Sequence, residues 1–90
     1  MSNYGWIITA DHIDDGQAVG TVGPAGITSE MCNRLKAGEG QKQRLYDDDR
    51  ELYYEARLIG GDGFEVLDDL GTAVGCSYAQ YFENGRWKYL

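Results

Sequence analysis

The chain has 90 residues and a formal charge of −7, with 15 acidic against 8 basic side chains. Its length sets one domain with one modest core, because a chain this short buries only about 60–65% of its unfolded surface. At 42% hydrophobic and 12% aromatic it is too apolar for disorder, and its acidity argues against nucleic acid or anionic membrane as direct partners.

Tyr4 to Thr9 (YGWIIT) is aromatic and β-branched and reads as a first strand. Asp11 to Gly26 is a long connection holding the only proline, Pro24. Val19, Val22 and Ile27 are apolar there, which allows a short edge strand. Thr28 or Ser29 is placed to cap a helix over roughly residues 29–37. Glu30 falls in the first turn, where the helix dipole favours an anion; Arg34 and Lys36 fall near the other end, and Gly38 is a fitting terminator. Gln41–Tyr46, a turn at Asp47–Arg50, and Glu51–Ile59 then form a hairpin. In its second arm Leu52, Tyr54, Ala56 and Leu58 share one face, and Tyr53, Glu55, Arg57 and Ile59 the other, a period of two. Gly60-Gly61-Asp62-Gly63 breaks the chain. Phe64 to Leu70 has apolar residues at 64, 66, 67 and 70, a pattern that fits either a helical turn or an extended loop. Cys76–Phe82 and Arg86–Leu90 flank Glu83-Asn84-Gly85, and Asn-Gly supplies the two positive-φ residues of a type I′ hairpin turn. The expected fold is a single α+β domain over residues 1–90: a mostly antiparallel sheet of four to five strands with one short helix. Trp6, Trp87, Phe64, Phe82 and some of the seven tyrosines are the expected core.

No run approaches the ~20 apolar residues of a membrane helix. No basic-then-apolar segment opens the chain, so the expected location is cytoplasmic. Cys32 and Cys76 are then expected to be reduced and partly buried, a single disulfide being the alternative.

The motifs that carry chemistry do not fit this chain. Taking Asp11 as the first position of a calcium loop puts Ile13 and Val22 where oxygen ligands are needed. His12, the only histidine, is flanked by carboxylates, but no nucleophile accompanies it. Two cysteines and one histidine match no zinc spacing. The run Gly20 to Gly26 is neither a dinucleotide fingerprint nor a phosphate loop. Arg44, Tyr46, Tyr53, Arg57, Tyr81, Trp87 and Lys88 suggest a stacking platform for single strands. That reading needs a contiguous basic stripe, and every strand has acidic neighbours. No enzyme activity, cofactor or metal is expected.

The acid is grouped. Asp11, Asp14 and Asp15 form one set; Asp47, Asp48, Asp49 and Glu51 a second; Asp62, Glu65, Asp68 and Asp69 a third, in a stretch without Lys or Arg. Such runs commonly serve only as solvated faces. Displayed on a rigid surface, they also imitate phosphates and attract a cationic groove. The expectation is a non-enzymatic small acidic binding protein, an inhibitor that occupies a basic nucleic-acid-binding surface of a partner. Asp47, Asp48, Asp49, Glu51, Asp62, Glu65, Asp68 and Asp69 would form its partner-binding set. The alternative is a host accessory protein acting as a homodimeric protein-interaction module.

In size and acidity the chain resembles small inhibitors encoded by phages and other mobile elements, such as anti-CRISPR proteins and DNA mimics. YGWIIT and Leu67-Asp68-Asp69-Leu70-Gly71 are similar to stretches of small bacterial proteins. The resemblance implies a nucleic-acid-handling complex as partner and assigns no residue a role.

Overall fold

A computed structural model describes residues 3–90. Its strands are β1 (Gly5–Asp11), β2 (Val22–Gly23), β3 (Gln41–Tyr46), β4 (Leu52–Ile59), β5 (Tyr78–Glu83) and β6 (Arg86–Tyr89). They pair in the order β2-β1-β4-β3-β5-β6, every neighbour antiparallel. Six strands replace the four to five expected. The added one is β2, two residues folded back on Trp6 and Ile7, too short to leave an alternating pattern.

Two helical segments connect the strands. Helix α1 (Ser29–Lys36) is capped by Thr28, whose Oγ1 accepts from the Met31 N–H at 3.2 Å, and stops as Gly38 turns to φ +94°. The second segment is a π-helical stretch, Leu67–Gly71, continuing into one turn, α2 (Thr72–Val74), and ending on left-handed Gly75. The 64–70 region is therefore helical and not extended.

Connection geometry decides which face each helix covers. β1 leads through β2 and α1 to the parallel strand β3, skipping β4; β4 leads through the π-helical segment to the parallel strand β5, skipping β3. Both crossovers step the same way across the sheet, but from strands running in opposite directions. Right-handed crossovers must then lie on opposite faces. The helices do so. Val66 and partly buried Leu67, Leu70 and Val74 pack on the face bearing Trp6, Ile8, Leu45, Tyr54, Ala56 and Leu58. α1 sits on the other face over Gly5, where an added Cβ would come within 2.6 Å of Ile27 Cδ1 and Met31 Sδ.

Ile8, Leu45 and Val66 are essentially inaccessible, each such side chain worth about 1.5–3 kcal/mol of transfer free energy. Phe64, expected in the core, is 44% exposed: it precedes the helical segment, whose apolar stripe begins at Val66. Phe82 and Trp87 are only half-buried. They lie on the α1 face, and α1 packs mainly on β1 and β4. The β3-β5-β6 half of that face has no covering layer.

Candidate functional site

Strand register gathers two of the three acidic groups at one end of the sheet. Asp11, the last residue of β1, pairs with Tyr54 near the start of β4, and Tyr46, the last residue of β3, pairs with Leu52. The Asp11–Asp15 loop and the Asp47–Glu51 turn thus leave the same edge on either side of β4. Two strand spacings separate them, about 10 Å. The third group does not join them. Asp62 and Glu65 follow β4 at its opposite end, and Asp68 and Asp69 lie on the segment that crosses the Trp6 face.

Many of these carboxylates are committed within the molecule. Asp47 Oδ1 accepts the Asp49 and Glu51 N–H groups at 2.9 and 2.8 Å and so builds the hairpin turn. Asp48 accepts from Ser77 Oγ. Glu65 accepts the Asp62 and Gly63 N–H groups, both at 2.9 Å, and Asp62 accepts from Phe64 N–H at 3.1 Å. Asp69 Oδ2 accepts from Trp6 Nε1 and Tyr4 Oη, each at 2.9 Å. Of the eight expected partner-binding residues, Asp49, Glu51 and Asp68 make no side-chain hydrogen bond among the described residues. Asp11 is occupied too: its oxygens accept from Ile13, Asp14 and Ala18 N–H at 3.0 Å.

This field shows in the ionisable groups around it. Burial opposes ionisation of Asp11, but its three backbone donors outweigh that and hold its pKa below the ordinary value. The Asp47 carboxylate, as hydrogen-bond acceptor and as charge, raises Tyr53. Burial first, then Asp11, raises Tyr54. Burial and Asp47 push the Cys76 thiol to about 11, and Cys32 and Cys76 are both free thiols. Arg50 turns away from the acid, its guanidinium 5.3 and 5.4 Å from the Tyr78 and Tyr89 ring centroids.

His12 shares a hydrogen bond with Glu55, Nε2 to Oε2 3.0 Å. Glu55, on β4, points to the α1 face of the sheet, as its partner Arg44 on β3 does, and that face carries a second feature. A groove of about 270 Å³ runs there, its walls including Thr9, Lys42, Arg44, Glu55, Arg57 and Trp87. Arg44 Nε is 3.6 Å from Glu55 Oε1, and its guanidinium lies 3.9 Å from the Trp87 ring centroid. Trp87 packs against Phe82 at 5.2 Å, and Lys42 Nζ lies 5.6 Å from the Phe82 ring.

Sequence reasoning named Arg44, Arg57 and Trp87 among a candidate stacking set and set it aside for want of a basic stripe; it missed Lys42 and the groove. Lys42 and Arg44 are interleaved with uncharged residues, and Arg57 follows Glu51 and Glu55, so no basic run is visible. Only the pairing of Lys42 with Arg57 and of Arg44 with Glu55 brings them together. The same pairing divides the stacking platform that the sequence suggested and its charge argued against. Tyr81 stands opposite buried Gln43 and Lys88 opposite Tyr81, on the other face from Arg44 and Trp87. Among the described residues no helix is long and apolar enough to cross a membrane and no cluster of metal-ligating side chains occurs. Comparison with family models, curated proteins and solved structures finds no match.

Proposed function

We propose that the chain is a non-enzymatic binding protein whose acidic sheet end grips a cationic surface of a partner protein. The partner is of the kind that handles nucleic acid, and occupation of its basic surface inhibits it, as anti-CRISPR-like proteins and DNA mimics do. The observation that carries the reading is the register at the start of β4, which puts the Asp11–Asp15 loop and the Asp47–Glu51 turn at one edge. Charges about 10 Å apart are separated by about one Debye length at 0.1 M salt, so their fields overlap in part. The contacts fall to the uncommitted carboxylates there, Asp14, Asp15, Asp49 and Glu51. Asp47, Asp48 and Asp11 shape the loops that display them.

The test is capture of proteins from a host lysate on the immobilised chain, with elution by rising salt. The expected captured set is basic, salt-eluted and released from bound nucleic acid. It is lost by the variant Asp14→Lys, Asp15→Lys, Asp49→Lys, Glu51→Lys and kept by Asp68→Lys. Equal capture by the wild type and the four-fold variant would refute the reading.

A homodimer is the second reading. β6 pairs on one side only and carries Tyr89, 52% exposed, and an open edge is a template for strand addition. A dimer of the 10.0 kDa chain would elute at about 20 kDa and keep that mass as salt rises, whereas the inhibitor reading needs only the monomer.

A further inference from the structure

We propose that the groove on the α1 face of the sheet, beside the helix, binds a small phosphate ester with a planar ring, of mononucleotide size, its phosphate held by Lys42, Arg44 and Arg57 and its ring stacked on the Arg44 guanidinium. The groove inverts the sign of the molecule. The chain has an excess of acid, yet these three cations line the groove against the single carboxylate of Glu55.

That carboxylate positions a cation more than it cancels one. Glu55 faces His12 with one oxygen and the Arg44 Nε edge with the other. Contact at Nε leaves the terminal N–H groups of the guanidinium fork for an anion, the geometry in which arginine recognises phosphate. The Arg44 plane is held from behind, since Trp87 lies under it and Phe82 supports Trp87. Buttressing of this kind lowers the ordering cost of binding. A flat ring continues the series Phe82, Trp87, Arg44, because guanidinium planes stack bases as aromatic rings do. Thr9 forms part of the opposite wall. It is the extra residue where the β1 register slips between Ile8 and Ala10, and such bulges re-aim side chains at sites.

Size and charge choose the class of ligand. A groove of about 270 Å³ lies at the small end of ligand sites, which run roughly 300–1,000 Å³. A polynucleotide would run on past the groove to the acidic sheet end, which leaves from the same β1 and β4. A mononucleotide stays within a Debye length of the three cations, about 8–10 Å.

The experiment is a titration of the full ¹⁵N-labelled chain, followed by the side-chain N–H resonances of Trp6, Trp87 and Arg44, with ATP, AMP, inorganic phosphate and a ten-residue oligothymidylate as probes. ATP and AMP should shift Trp87 and Arg44 Nε and leave Trp6, which faces the other side, unmoved. Inorganic phosphate should bind at least tenfold more weakly than AMP. Arg44→Gln and Arg57→Gln should each lose at least tenfold in ATP affinity with the Trp6 resonance unchanged, so that folding is verified in the same spectrum. Asp49→Lys should leave ATP affinity alone, which keeps this site separate from the acidic end. No Trp87 shift at millimolar ATP, equal affinity for phosphate and AMP, tighter binding of the oligonucleotide than of ATP, or an unaffected Arg44→Gln variant would each overturn the proposal.

Discussion

Asp69 separates a structural carboxylate from a partner-binding one. Its Oδ2 accepts from Trp6 Nε1 and Tyr4 Oη, and Trp6 is only 5% exposed. In Asp69→Ala the indole N–H of a buried ring loses its acceptor. Hydrogen bonds to a charged group contribute about 1.5–3 kcal/mol. Asp69 itself lies at the surface, where water partly replaces it, so the lower half of that range applies, about 1.5–2 kcal/mol. A domain of this length has roughly 5–13 kcal/mol in all, and at about 4–8 °C per kcal/mol the melting temperature should fall by about 6–16 °C. Urea melts followed by far-UV circular dichroism should show a lower midpoint at unchanged slope. Asp68→Ala, one residue away and unbonded, should stay within about 0.5 kcal/mol. General electrostatics works against the prediction: removing any acid from a chain of charge −7 relieves repulsion and raises stability. A double-mutant cycle of Asp69→Ala with Trp6→Phe should give a coupling of about 1 kcal/mol or more. Equal stability of Asp69→Ala and Asp68→Ala would refute the reasoning and return Asp69 to the partner-binding set.

Asp11 has a folded pKa below its unfolded one. It therefore adds stability above the ordinary carboxylate pKa, about 3.9, which is lost as pH falls through the folded value; Asp11→Asn should flatten the acid limb of a stability–pH curve. The Cys76 thiol is buried with a pKa near 11 while Cys32 is partly exposed, so at pH 8 a thiol reagent followed by mass spectrometry should label Cys32 first and Cys76 only on unfolding. A methyl at Gly23 would run into the Trp6 indole, which Asp69 pins, whereas one at Gly5 meets the movable tips of Ile27 and Met31. Gly23→Ala should cost about 1–3 kcal/mol and Gly5→Ala less, by the same urea melts.

The local part of the fold was legible. The period of two over residues 52–59, the capping Thr28 and the Asn84-Gly85 turn, with φ of +54° and +78°, are signals carried by neighbouring residues. What escaped depends on distant ones. The helical segment after Phe64 contains a π-helical turn over Leu67–Gly71. That extra residue per turn breaks the 3.6 spacing by which its apolar face would be found. The acidic groups were visible as groups, but not their internal duties: nothing near Asp69 announces Trp6, and nothing near Glu65 announces a cap on the Asp62–Gly63 backbone. The cationic groove was hidden for the same reason. Its residues sit on different strands among neutral or acidic neighbours, and β-pairing alone assembles it.

The placing of β4 between β1 and β3 has a consequence for how the chain is made. β1 leaves the ribosome about fifty residues ahead of its main partner, Ile7 pairing with Arg57. At roughly 5–20 residues per second the sticky segment GWIIT waits several seconds with only α1 on one face and two residues of β2 at one edge to shield it. The hairpin of β3 and β4 needs no such delay and can serve as the template on which the waiting strand finally docks. Lengthening the Asp47–Arg50 turn should therefore slow refolding more than lengthening the loop at Asp14–Gly20, a comparison that stopped-flow fluorescence of Trp6 in a Trp87→Phe background can make.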